Sequence, residues 1–350
     1  MMYREFFLFP RHPTPNENIP AAAAVNPQST IPPHNSNMSR QQPITKDHDT
    51  ADMIGTTVSS LAAAETLPGV CHTRLQGEPL PNHDDTRRIV ELCRHLFFPG
   101  FYANSQVRRD NLLYHIGIAV DQLRSILSRQ ITAGLCFETE CGTPPDMKET
   151  AARAERLTMQ FIEQLPHMRT LLAADAEATY RGDPAANSTE EVIFSYPGLR
   201  ALTCHRIAHA LHKLGVPVIP RMISELAHSE TGIDLHPGAT IGPGLMIDHG
   251  TGVVVGATSI IGENVKIYQG VTLGARSFAR DADNNPVKGV PRHPTVGRDV
   301  VIYANTTILG RITIGDGAVI GGNLWVTFDV APGERLVQSS PTNIVRLPAE

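Results

Sequence analysis

Apolar positions in the middle of the chain recur at three and four residues. Leu112, Ile116, Val120, Leu123, Leu127 and Ile131 fall on one stripe, which predicts the buried face of a long helix. Pro197 stands where a first helical turn tolerates a missing N–H. The apolar series Leu199, Leu202, Ile207, Leu211 and Leu214 follows it, and Gly215 supplies a stop, so this span also predicts a helix. A shorter helix is predicted from about Arg221 to His228. Helical patterning begins near residue 83 and lasts to about residue 230.

Past Gly232 the period becomes six. Val296, Ile302, Ile308, Ile314, Ile320 and Val326 are spaced six apart without a miss; Val255, Ile261, Ile267 and Leu273 form a second phased run, and Leu235, Ile241 and Ile247 a third. Gly often follows the phased aliphatic, as at Gly242, Gly256, Gly262, Gly297 and Gly315, which is the hexapeptide signature of a parallel β-helix. Such a solenoid stacks each coil only on its neighbours, so the helical block serves as its N-terminal cap.

Composition then separates the two ends. Eleven of the 27 prolines lie in residues 1–81, in a stretch rich in Asn, Ser, Thr and Gln that buries too little to offset its ordering entropy. Residues 1–82 are therefore expected to be disordered, with Met38 or Met53 as rival starting points. Eighteen of the 28 glycines lie between residues 232 and 333, where corners must be turned. The expected organisation is an extension over 1–82, an α-helical domain over 83–230, a solenoid over 231–333 and a tail over 334–350. The fold class is α+β.

A formal charge of −5 speaks against nucleic-acid binding by phosphate neutralisation. No apolar run approaches the roughly 20 residues of a membrane helix, and no signal peptide is legible. Five cysteines without a C-x-x-C motif fit neither a disulfide framework nor a zinc ribbon, so a reducing, cytoplasmic setting is expected. Cys136 and Cys141 read as incidental. His205 and His209, with His212 nearby, share a helical face, but without the H-E-x-x-H pattern packing is favoured over a metal site.

A regular solenoid is structural, so its interruptions are the informative places. A slip of two residues between Ile247 and Val255 contains Asp248-His249-Gly250-Thr251-Gly252. An excursion between Leu273 and Val296 ends in Pro291-Arg292-His293-Pro294. Histidine suits taking a proton from a hydroxyl and returning it, typically contributing about 10²- to 10⁴-fold. It works best when a carboxylate orients it, and Asp234, fifteen residues before His249 and so about one coil away, is the candidate. Arg292 offers a planar fork for a carboxylate and Asp248 a counter-charge for an ammonium, a pair suited to an amino acid. Arg276, Arg280 and Lys288 suit either coenzyme phosphates or a solvated basic loop.

Gly232-Ile233-Asp234-Leu235-His236-Pro237, Asp248-His249-Gly250-Thr251-Gly252, Gly270-Val271-Thr272-Leu273-Gly274 and Arg292-His293-Pro294 resemble the serine O-acetyltransferase family. With Asp183-Pro184-Ala185 and Tyr196-Pro197-Gly198, the resemblance covers roughly residues 85–333. It implies a left-handed solenoid and acetyl transfer from acetyl-CoA to the L-serine hydroxyl, the first step of cysteine biosynthesis, with no permanently bound cofactor and no metal. His249 would be the general base and Asp234 its orienting partner, with direct attack in a ternary complex. Arg292 would hold the serine carboxylate, Asp183 and Asp248 its ammonium, and His293 the hydroxyl or oxyanion. Acetyl-CoA would lie between solenoids of a trimer, against Gly274, Ala275 and Ala304. A homotrimer or a dimer of trimers, and inhibition by L-cysteine, are also implied. The chain departs from the family in having Gly274-Ala275 for a glycine pair. Ending Leu347-Pro348-Ala349-Glu350 in place of the terminal isoleucine of shorter members, it gives no support for a complex with O-acetylserine sulfhydrylase. Open alternatives are a hexapeptide acyltransferase acting on a sugar or on another hydroxy-amino acid such as homoserine or O-phosphoserine, and a zinc lyase or scaffold.

Overall fold

The computed structural model describes residues 46–63, 65, 79–102, 107–138, 146–277 and 280–338. The chain divides into two units at His72. In the first, α1 (Lys46–Leu61) is a difference from the expectation of disorder. Ile54, Val58 and Leu61 recur at helical spacing on it, a short stripe too weak to stand out among the surrounding prolines, and all three side chains are exposed. Met38, Cys71, Cys141 and residues 347–350 lie outside the described residues.

The second unit begins with α2 (His83–Phe97), started by Asn82, whose Oδ1 accepts the N–H groups of Asp84 and Asp85 at 2.8 and 3.0 Å. Then come α3 (Leu112–Glu138), α4 (Met147–Glu163), α5 (Leu165–Gly182), α6 (Thr189–Ser195), α7 (Pro197–Lys213) and α8 (Ile219–Thr231). The long stripe lies on α3, where Leu123, Leu127 and Ile131 are fully buried. The proline-started helix is α7. It is buried on nearly every side because it lies between the other helices and the solenoid. Gly198 makes this possible at the first turn: a Cβ there would stand 2.3 Å from the carbonyl oxygen of Ile247.

Three parallel sheets make the solenoid. The first holds β1 (Asp234–Leu235), β4 (Val254–Val255), β7 (Thr272–Gly274), β10 (Thr307–Leu309) and β13 (Trp325–Val326). The second holds β2 (Thr240–Ile241), β5 (Ile260–Ile261), β8 (Thr295–Val296) and β11 (Thr313–Ile314). The third holds β3 (Met246–Asp248), β6 (Lys266–Tyr268), β9 (Val301–Ile302), β12 (Val319–Ile320) and β14 (Arg335–Leu336). Every phased aliphatic points inward, none more than 7% exposed, and they stack in register: Leu235 on Val255 on Leu273 on Ile308 on Val326, and likewise on the other two walls.

At two of the three corners a left-handed residue recurs at the same place in every coil. Gly232, Gly252, Gly270, Asn305 and Asn323 turn the corner before the first sheet; Gly244, Asn264, Asp299, Gly317 and Gly333 turn the corner before the third. Asn and Asp tolerate that conformation, so glycine is not obligatory at a corner.

A buried ion pair ties the helices to the solenoid. Arg206 of α7 holds Asp175 of α5 at 3.0 Å and donates to the carbonyls of Ile241 and Gly242, while the N–H of Leu245 donates to Asp175 at 3.0 Å. The helical block is thereby bonded to the first coil, which carries the candidate site.

Candidate active site

The slip of two residues is a real turn. Between β3 and β4 the backbone folds tightly, with Gly250 N–H donating to the carbonyl of Asp248 at 2.6 Å. His249 is held at φ +55°. A bulky side chain in the left-handed region costs about 1–3 kcal/mol and persists where the surroundings enforce it, commonly at functional sites. Its imidazole is turned outward, 74% exposed, with Nε2 3.8 Å from Asp248 Oδ2.

Two helices deliver the next groups. Asp183 follows the last turn of α5 and accepts the N–H of Ala185 at 2.8 Å and the hydroxyl of Tyr196 at 2.7 Å. Those bonds, with His249 nearby, hold its carboxyl below the usual carboxylate range. The same bond pushes the Tyr196 hydroxyl up to about 12, so it remains a donor at neutral pH. Tyr268, one coil below Asp248 and stacked on Tyr303 at 5.2 Å, is also raised, by burial first and then by Tyr303, Asp248 and Asp183. Asp183, Asp248 and His249 thus share one rim, the corner before the first sheet.

The second set stands at the next corner, after the first sheet. His293 is buried there, its Nδ1 accepting the N–H of Thr258 at 3.1 Å with the Thr258 hydroxyl 2.8 Å away. The Thr258 hydroxyl oxygen accepts the backbone N–H groups of Arg292 and His293, and Arg311 clamps the carbonyls of Thr258 and His293. Burial first, then Arg292, His236 and Arg311, bring the His293 pKa down to about 4. The ring is therefore neutral near pH 7, and with Nδ1 used as an acceptor its proton sits on Nε2, available to a ligand.

The hexapeptide model described as bacterial transferase hexapeptide (six repeats) matches residues 293–327. A serine acetyltransferase encoded on a plasmid of Synechococcus elongatus is 44% identical over 286 residues, covering 81% of this chain and 89% of that protein. The chain belongs to the serine acetyltransferase family. The Helicobacter pylori serine acetyltransferase is 46% identical over 175 residues, half of this chain and 97% of its own. Among solved structures, serine acetyltransferase isoform 3 of Entamoeba histolytica in complex with cysteine aligns over 85% of this chain and 94% of its own, at 32% identity and a TM-score of 0.62. Family membership disfavours the sugar-acceptor alternative.

Within this serine acetyltransferase fold, the expected residues are not all joined. The Asp234–His249 hydrogen bond is not made. The tight turn directs His249 towards Asp248, and Asp234 Oδ1 is left buried with no hydrogen-bond partner among the described residues. Gly274 and Ala275 lie at the corner after the first sheet, whereas Ala304 lies at the corner before it, so one chain holds them on opposite edges.

His205 and His209 stack at 5.6 Å, and His209 Nδ1 donates to the carbonyl of Pro237 at 2.8 Å. Among the described residues no group of three or more His, Cys, Asp or Glu could hold a metal, and no helix is long and apolar enough to cross a membrane. Cys136 packs its sulfur against that of Met147 at 3.8 Å. Arg280 is bound within its own loop, to the carbonyl of Asn284 at 2.8 Å. Sequence reasoning gave no role to Tyr196, Tyr268, Thr258 or Arg311. Only Tyr196 left a trace, inside Tyr196-Pro197-Gly198; the others are ordinary residues whose importance is a matter of register.

Proposed function

We propose that the chain transfers acetyl from acetyl-CoA to the hydroxyl of L-serine, with His249 as general base. His249 Nε2 takes the hydroxyl proton, and the serine oxygen attacks the thioester carbonyl carbon. The oxyanion that forms collapses with cleavage of the C–S bond, and the imidazolium returns its proton to the leaving thiolate. The products are O-acetyl-L-serine and CoA. Asp183 and Asp248 hold the ammonium, Arg292 the carboxylate, and the Nε2–H of His293 the hydroxyl or oxyanion. One donor aimed at a developing oxyanion is commonly worth about 10²- to 10³-fold. The buried, unpaired oxygen of Asp234 supports its role as the orienting carboxylate: it needs a donor, and the exposed ring of His249, on the turn that leads into the strand paired with β1, is the donor this reading assigns to it.

The observation that carries the reading is the slip turn, where a strained His249 stands beside Asp248 and an Asp183 kept ionised by Tyr196. The test is thiol detection of CoA released from acetyl-CoA with L-serine, homoserine, O-phosphoserine or sugar acceptors. Release that is independent of serine, or faster with a sugar, overturns the reading.

The separation of the two corners supports a site shared between copies. Along a coil, roughly four extended residues, about 13 Å of chain, separate the corner that bears His249 from the corner that bears His293. A serine is far shorter. The two grips meet one substrate when the first corner of one copy faces the second corner of another, and a three-sided prism closes such a ring as a trimer. Gly274 with Ala275 and Ala304 divide in the same way, as opposite walls of a groove for acetyl-CoA. L-cysteine, differing from serine only in sulfur for oxygen, fits the same grips and acts as an inhibitor; competition with serine in initial-rate assays tests this.

A further inference from the structure

The outer side of the first sheet carries one column of outward-facing residues in strict register: Asp234, Val254, Thr272, Thr307 and Trp325. It starts at the carboxylate assigned to the general base and ends at the only tryptophan in the chain, 69% exposed. Four strand spacings separate the ends, about 19 Å. The rungs between are short side chains, so nothing tall interrupts the track. Asn323, two residues before Trp325, donates its N–H to the carbonyl of Ala304 at 2.9 Å, so the corner one coil below Ala304 leads into the strand that carries Trp325.

Resting on the acetyl-transfer reading above, we propose that Trp325 is the stacking platform for the adenine of acetyl-CoA. The thioester has to reach the His249 end of the column, and the coenzyme's extended arm then carries its nucleotide end down the solenoid axis towards the last coil. An exposed indole at that level, on a protein with no excess of positive charge, binds a base by stacking rather than through phosphate neutralisation. Base–aromatic stacking is worth roughly 5- to 150-fold in affinity.

Because Trp325 is the sole tryptophan, emission excited selectively at the indole reports on this position alone. Titration with CoA or with adenosine 3′,5′-bisphosphate is expected to quench the emission, and pantetheine is expected to leave it unchanged. Trp325→Leu is expected to raise the acetyl-CoA KM about tenfold while leaving the S-acetylpantetheine KM at its starting value, and Trp325→Phe to recover part of the loss. Emission indifferent to saturating CoA overturns the proposal. So does a variant in which both donors suffer alike, or one in which light scattering shows a broken assembly with the acetyl-CoA KM unmoved, which would make Trp325 a contact between copies. If the acetyl-transfer reading itself is wrong, the wild-type chain releases no CoA with serine, whereas the fluorescence arm, which needs no acceptor, still reports whether CoA meets Trp325.

Discussion

Gly256→Ala is the most discriminating single substitution at this site. Gly256 is not in the left-handed region, so its backbone accepts alanine; the difficulty is the His293 ring. A Cβ there would stand 2.0 Å from Cδ2 and 2.2 Å from Nε2 of His293, well inside any real carbon contact, so the ring must retreat by about 1.5 Å to reach ordinary van der Waals distance. It cannot retreat and keep both bonds to Thr258. A misplacement of about 1 Å in a positioned group costs on the order of 10² in rate, about 2.7 kcal/mol of barrier. The assay is a double-mutant cycle on kcat in the CoA-release reaction. Gly256→Ala and His293→Ala are each expected to lose about 10²-fold, and the pair together no more than either alone, because with the ring gone the new methyl fills its space. Full additivity, about 10⁴-fold for the pair, would refute the argument that Gly256 acts through His293.

His249→Asn, chosen because Asn tolerates the left-handed turn, is expected to lower kcat by about 10²- to 10⁴-fold with unchanged circular dichroism. Arg206→Met leaves the buried Asp175 carboxyl without its partner, and is expected to cost about 3–5 kcal/mol in denaturant unfolding; a loss under 1 kcal/mol would show that the junction is not held by this pair. The His293 pKa of about 4 lies below the 6.5 of an exposed histidine, so the unfolded chain binds more protons between those values. The stability that results is fully present above about pH 6.5 and is lost as pH falls towards 4. Melting curves over that window should fall more gently for His293→Gln than for the wild type, and parallel curves would count against the assignment.

Much of this architecture was legible because a solenoid writes its register into the chain. One aliphatic per six residues must face inward, and all thirteen phased positions do. The two breaks were legible for the same reason, since a fixed period makes any slip visible. What escaped was decided by contacts that periodicity does not encode. Thr258 holds both residues of the Arg-His pair from the turn before β5, yet nothing distinguishes it in sequence from Thr240 or Thr313, which lie in strands of the second sheet. Asn305, Asn323 and Asp299 turn corners that glycine was expected to turn, because the left-handed conformation admits them. Helix α1 escaped because three apolar positions carry little periodic signal.

Asp234 and His249 show why spacing alone could not settle the catalytic pair. Fifteen residues is three short of a regular coil, and the slip makes the first coil twenty, so Asp234 pairs in register with Val254 rather than with any residue of the turn. The contact then depends on side-chain torsion, not on strand pairing. The turn holds His249 3.8 Å from Asp248, while the buried oxygen of Asp234, on the strand paired with the one that follows the turn, lacks a donor. An ammonium bound by Asp183 and Asp248 removes the first attraction by neutralising it. On the proposed mechanism, substrate binding is expected to bias the ring towards Asp234, so that His249 is oriented once serine is in place. Asp248→Asn should weaken serine binding while the His249 ring, freed of its competing carboxylate, already favours Asp234 in the unliganded enzyme. A histidine resonance in that variant that matches the serine-bound wild type would bear this out; one that matches the unliganded wild type would refute it.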